Sequence, residues 1–118
     1  MRWITIALIG IVGGFASGLF GVGGGVLFVP LLILFLNLNT HSAIGTSLVA
    51  IIPTALVGSF RHLLDRQVDL KMACLLAVFA SLGAWLGAGS SLQLDALVLR
   101  RVFALFLIFL AFRLAFTQ

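Results

Sequence analysis

Gly21-Val22-Gly23-Gly24-Gly25 is the stretch of this chain whose composition best suits chemistry. It lies between two apolar segments, Trp3 to Phe20 and Val26 to Leu36. A helix beginning near Val26 would present unpaired amide groups and the positive end of its dipole toward the glycines. Together these form an anion site that needs no cationic side chain. The same glycines also suit a kink at which two helices cross closely. The stretch is not a phosphate-binding P-loop, because it lacks the Lys-Ser/Thr ending and no soluble strand precedes it.

Gly45-Thr46-Ser47 is the second candidate, near the start of a later apolar segment. Hydroxyls there can bond an anion, or can bond back to their own helix. Arg61 is the cation nearest the end of an apolar segment, where it can line an anion vestibule or meet lipid headgroups. No catalytic constellation accompanies these residues. Asp65, Asp69 and Asp95, like His41 and His62, fall at segment ends, and Thr46 and Ser47 have no obvious base. Cys74 is the sole cysteine, so an internal disulfide is excluded, and no cysteine or histidine cluster suggests zinc. The reading is therefore not an enzyme, with no metal and no cofactor.

Five apolar segments must position these residues: Trp3 to Phe20, Val26 to Leu36, Ser42 to Phe60, Leu70 to Gly89 and Ala96 to Phe116. The second spans only roughly 16 Å as a helix, about half a bilayer core. Asn37 to His41 reads as a polar turn with Thr40 or Ser42 capping the next helix. Arg61 to Lys71 reads as a charged loop and Ser90 to Asp95 as a short link. Pro30 and Pro53 mark kinks or local breaks. Gly10, Gly14 and Gly18 share one helix face and Gly83 and Gly87 another, beside Ala80, Ala84 and Ala88, a spacing that lets membrane helices approach closely. The fifth segment has no glycine and suits a lipid-facing helix.

Of the 118 residues, 63% are hydrophobic and 8% charged, with mean hydropathy +1.32. This balance excludes an ordinary soluble domain. At roughly 20 residues per span the chain allows about four passes. The net charge of +4 does not indicate nucleic acid, since the seven cations are scattered at segment ends. They fit flanking positions that orient helices and meet headgroups. Arg2, Ile4 to Val12 and Ala16-Ser17-Gly18 loosely imitate a signal peptide, but equally apolar sequence follows and the glycine pattern continues through that point.

Two topologies are open. If the first two segments cross an odd number of times, Arg2, Arg61, Arg66, Lys71 and Arg113 share one side and Arg100 and Arg101 take the other. If they form a re-entrant hairpin, the charged loop and the C-terminal end lie opposite Arg2. The positive-inside rule mildly favours the first arrangement.

Gly14-Phe15-Ala16-Ser17-Gly18-Leu19-Phe20-Gly21-Val22-Gly23-Gly24-Gly25, then Val29-Pro30-Leu31-Leu32, then Ala43-Ile44-Gly45-Thr46-Ser47-Leu48 resemble the repeat of TauE/SafE sulfite exporters. Val68-Asp69-Leu70 and the Ala/Gly-rich fourth segment extend the resemblance over nearly the whole chain. It implies movement of sulfite, organosulfonates and related small anions across membranes. Usual members carry two such repeats; this sequence matches one. The positions matching the motif are Gly21, Gly23, Gly24, Gly25, Pro30, Gly45, Thr46 and Ser47.

The combined expectation is an all-α integral membrane protein, residues 1–118 forming one transmembrane domain of about four passes with a glycine-broken first element. Two copies, or one copy and a second half-length subunit, would surround a small anion held by Gly21, Gly23, Gly24, Gly25, Thr46 and Ser47, with Pro30 and Gly45 as structural positions. The expected setting is the bacterial inner membrane. A small dual-topology channel or multidrug exporter, or a non-transporting membrane subunit, are the competing classes. A cation-drug exporter would carry an acid within a helix, and none is evident.

Overall fold

The computed structural model describes residues 1–117, and among them every regular element is helical. The order is α1 (Arg2–Phe20), α2 (Gly25–Leu36), α3 (Thr40–Leu64), α4 (Leu70–Gln93) and α5 (Ala96–Phe116). A helix forms in each of the five apolar segments, and the chain breaks within Gly21 to Gly25 as expected. α1, α3 and α4 are long and apolar enough to cross a membrane, and α2 is a shorter apolar helix. α5 is interrupted in composition by Arg100, Arg101 and Arg113, leaving Val102 to Phe112 as its uncharged stretch.

The break follows from backbone conformation. Gly21, Gly23 and Gly24 all have positive φ, at 65°, 72° and 77°. A side chain strains this region, whereas glycine enters it freely. Gly21 ends α1 by donating its N–H to the Ser17 carbonyl at 2.9 Å. Gly24 then starts α2, whose chain runs back along α1. Phe28 lies against Gly13, while Leu31 and Phe35 share a cleft with Thr5, Leu8, Ile9 and Val12. Leu36 and Leu38 arrive beside Arg2 and Ile6.

The hairpin therefore returns the chain to the face from which it started. This is the arrangement that charge bias alone disfavoured. It gathers Arg2, Arg100 and Arg101 toward one end of the bundle and Arg61, Arg66, Lys71 and Arg113 toward the other. The split leaves little cationic asymmetry for orientation to act on. Left-handed backbone at three glycines, rather than charge, decides the direction of the turn.

Several boundaries differ from the sequence expectation. Asn37 adopts a left-handed conformation at the end of α2, and Asn39, not Thr40 or Ser42, caps α3 by accepting from the His41 amide at 3.3 Å. α3 continues through Arg61 and His62, where cations meet the negative end of the helix dipole, so the charged loop shortens to Asp65–Asp69. α4 likewise continues through Ser90 and Ser91, whose hydroxyls bond back to the Leu86 and Ala88 carbonyls. Pro30 and Pro53 sit inside continuous helices. Each removes one amide donor without ending its helix, a loss that membrane helices tolerate.

The core joins α1, α2 and α3. Ile9, Phe28, Val29, Leu32 and Ala43 are buried, with Phe103 of α5 packed against them. No residue of α4 or α5 is buried. The accessible surface is 9392 Å², against roughly 6,200 Å² for a compact soluble chain of this mass. The radius of gyration is 15.2 Å, against about 13.5 Å for a compact domain of this length. The molecule thus has a tight three-helix centre and an open outer pair.

The glycine rows meet no neighbour among the described residues. A Cβ at Gly10, Gly14, Gly18, Gly83 or Gly87 would meet nothing within 4 Å. Gly13 is instead the glycine of α1 that admits a neighbour, the Phe28 ring. Two histidines tie the ends of α3. His41 Nε2 lies 3.1 Å from the Ser91 carbonyl and 2.9 Å from the Leu94 carbonyl, and His62 Nε2 lies 3.2 Å from the Gly18 carbonyl. Carbonyls only accept, so Nε2 carries the proton in both rings.

Candidate anion site at the glycine turn

The glycine turn leaves a run of main-chain donors open. Gly21 N–H is bonded to Ser17, and intrahelical bonding resumes with Leu27 and Phe28, which both donate to the Gly24 carbonyl at 3.0 and 2.7 Å. Between them, the amides of Val22, Gly23, Gly24, Gly25 and Val26 have no partner among the described residues. No side chain caps α2. Within a bilayer each unpaired amide costs several kcal/mol, so such a run must meet water, solute or another protein group. Successive N–H groups in alternating turn conformations form an anion-binding concavity.

A cavity of about 240 Å³ opens beside the turn, lined by Ser17, Gly18, Gly21, Gly23, Thr54, Ala55, Gly58, Ser59 and His62. A second, of about 520 Å³, adjoins it through shared Gly18, Thr54 and Gly58 and adds Gly14, Pro53, Val57 and Arg61. The two form one groove between α1 and α3. Its floor is small because Gly14, Gly18 and Gly58 carry no side chain. The first cavity is below the size of drug-binding pockets and suits a small solute.

The residues singled out from sequence divide between this groove and other places. Gly21 and Gly23 line the first cavity. Gly24 is buried beneath Phe28, where a Cβ would stand 2.6 Å from the ring, and Gly25 abuts Ile51. Ser47 is 1% exposed and donates its hydroxyl to the Ile44 carbonyl at 2.9 Å. Thr46 is exposed in a separate cleft with Arg2, Ile6, Leu32, Leu36 and Leu38. Gly45 is exposed and open, and Pro30 lies half-buried in α2. The glycines are therefore together, while Thr46 and Ser47 lie nearer the opposite end of α3, Thr46 about 7.5 Å along the helix from Ile51.

The groove also contains residues that motif reading passed over. Thr54, Gly58 and Arg61 recur at helical spacing and share one face of α3, a pattern present in the sequence. Thr54 donates to the Ala50 carbonyl at 2.7 Å and Ser59 to the Leu56 carbonyl at 3.1 Å. Ser17 belongs to the opposite wall, and nothing in its local sequence distinguishes it from a packing serine. Among the described residues neither cavity is lined by a carboxylate. The groove consequently offers hydroxyls, a guanidinium and the edge of the open amide run.

Comparison with known proteins agrees with this architecture. Residues 6–118 match the model of the sulfite exporter TauE/SafE family. The chain is similar to a probable membrane transporter protein of Xylella fastidiosa (strain 9a5c), 38% identical over 86% of this chain and 39% of that protein. It is 32% identical to the probable membrane transporter protein YdhB of Bacillus subtilis over 72% of this chain and 33% of that protein. A probable membrane transporter protein of Haemophilus influenzae is 30% identical over 88% of this chain and 42% of its own length. This chain thus spans about a third to two fifths of the length of the relatives it matches. No solved structure matches it. With its multi-pass helical fold, its glycine-broken first element and a family match over nearly its full extent, the chain belongs to the sulfite exporter TauE/SafE family of membrane transporters.

Proposed function

We propose that this chain supplies half of an exporter for a small anion, such as sulfite or an organosulfonate, and that two copies assemble around a shared path. The observation that carries the reading is the open amide run from Val22 to Val26 beside a small cavity. Amide donors in an apolar setting favour anions without the cost of embedding a fixed charge. The substrate class named by the matched family points the same way. Transport proceeds by alternating exposure of the glycine turn to the two sides of the bacterial inner membrane.

The homodimer draws on the open form of the molecule. α4 buries no residue, and small-residue rows on α1 and α4 have free space above them. A second repeat placed there would complete the enclosure, whether from another copy or from a distinct half-length subunit. A small dual-topology channel or multidrug exporter draws less support, because no carboxylate lines the groove. A non-transporting membrane subunit is separated from the exporter by flux alone.

The test is anion flux into vesicles reconstituted with the full chain, using sulfite, sulfate and a sulfonate in parallel. Saturable flux of at least one of them, lost in Gly24→Val at equal insertion, is the expected result. Equal flux in empty vesicles, or selective movement of an organic cation instead, overturns the reading.

A further inference from the structure

We infer that Ser17 and Arg61 form an anion subsite in the α1/α3 groove, distinct from the amide run and serving as the approach to it. The inference rests on the small-anion reading above and adds side chains that select the solute. Ser17 is only 7% exposed, yet its hydroxyl bonds no other described residue. Among the described residues no fully enclosed side-chain oxygen lacks a partner, so the Ser17 hydroxyl must reach open space, and the space beside it is the cavity of about 240 Å³. A nine-tenths buried hydroxyl facing a partly open cavity departs from the common behaviour of serines on helices, which bond back to their own backbone. Thr54, Ser59 and Ser47 all do so here.

The surrounding groups set the sign of the ligand. The α1 carbonyls nearest the cavity are already engaged: that of Ser17 by the Gly21 amide at 2.9 Å and that of Gly18 by His62 Nε2 at 3.2 Å. The Gly21 and Gly23 carbonyls accept no bond from the described residues, so Arg61 rather than the main chain sets the preference for an anion. Arg61 lines the adjoining cavity, and Gly18, Thr54 and Gly58 border both volumes, so Arg61 and Ser17 border neighbouring parts of one groove. A guanidinium presents paired donors matched to the oxygens of a sulfonyl or similar oxyanion group. The small oxyanion is drawn in by Arg61, passes over a glycine floor, and exchanges a guanidinium for the Ser17 hydroxyl and then the turn amides.

The same chemistry would fit a phospholipid phosphate, and equilibrium binding separates the two. Radiolabelled sulfate and methanesulfonate are titrated onto the full chain in phosphatidylcholine vesicles, and anionic lipid is then added in a second series. Ser17→Ala should weaken binding of the soluble anion about two- to twelve-fold, as loss of one neutral hydrogen bond does, and Arg61→Gln about tenfold or more. Ser17→Cys keeps the side-chain volume with a poorer donor and should fall on the same side as Ser17→Ala. Arg61→Lys should restore part of the loss. Parent-like affinity in Ser17→Ala, Ser17→Cys and Arg61→Gln, with loss in Gly24→Val, overturns the groove subsite and leaves the amide reading intact. Absence of binding by the parent overturns both. If Arg61→Gln alters only the response to anionic lipid, Arg61 is a headgroup contact and the subsite is wrong.

Discussion

The ring of Phe28 occupies the space that a side chain at Gly13 would need, so the two residues fix how closely α1 and α2 approach. Phe28 also covers Gly24, where a Cβ would stand 2.6 Å from the ring. One side chain thus clamps both the shaft of α1 and the start of α2.

Gly13→Ala should therefore destabilise the hairpin even though alanine favours helix by about 1 kcal/mol. Displacing a buried ring costs about 1–3 kcal/mol, which outweighs the propensity gain. Gly10→Ala meets open space and should be neutral or stabilising. Unfolding in mixed detergent, read by circular dichroism, should rank the variants Gly13→Ala, parent, Gly10→Ala. Adding Phe28→Leu to Gly13→Ala should recover part of the loss. An unshifted transition for Gly13→Ala would mean the ring is free to move.

Gly24→Val should impair anion transport more than Thr46→Val. Gly24 has φ 77° and lies under Phe28, so valine there is both strained and crowded. Thr46 borders a different cleft, so its loss should change transport less than twofold, whereas a direct ligand would cost about two- to twelve-fold. Flux at equal membrane expression decides the order. The reverse ranking would move the solute path to the Arg2 end of the bundle.

His62→Phe should weaken anion binding, because it unties α1 from α3 beside the cavity. The bond to the Gly18 carbonyl joins α1 to α3 beside the cavity. His41→Phe removes a tie at the far end of α3 and should leave affinity unchanged. Sulfate binding to the two variants distinguishes a local effect from a general loosening.

Cysteine accessibility should place Gln67 and Asp95 on opposite sides of the membrane, with the N-terminal end on the side of Asp95. The hairpin of α1 and α2 requires this order, because Arg2 lies beside Leu36 and Leu38. Single cysteines at residues 67 and 95 in a Cys74→Ser background, labelled with an impermeant maleimide in sealed vesicles, provide the measurement. Labelling of both from one side would show that α4 does not cross.

Crosslinking in native membranes should capture self-adducts, and large residues at Gly83 or Gly87 should reduce them. Both glycines lie on α4, which buries no residue within the chain. Full transport by vesicles holding a single copy would exclude the dimer.

The sequence by itself determined the membrane class, the five helices and the place where the first element breaks. These depend on local properties: apolar length suits a bilayer, and only glycine relieves the strain of repeated positive φ at Gly21, Gly23 and Gly24. The helix ends were less legible, because capping at Asn39 and continuation through Arg61 and Ser90 depend on side-chain bonds that several nearby residues were equally able to make. Only tertiary structure decided that the hairpin returns to the Arg2 face, that Gly13 rather than Gly14 receives a neighbour, and that Ser17 and Arg61 border one groove. Those relations join residues on different helices, from Gly13 and Phe28 to Ser17 and Arg61. Helix rotation and the contacts of α1 with α2 and α3 create them, and neither is encoded in the spacing within a single helix.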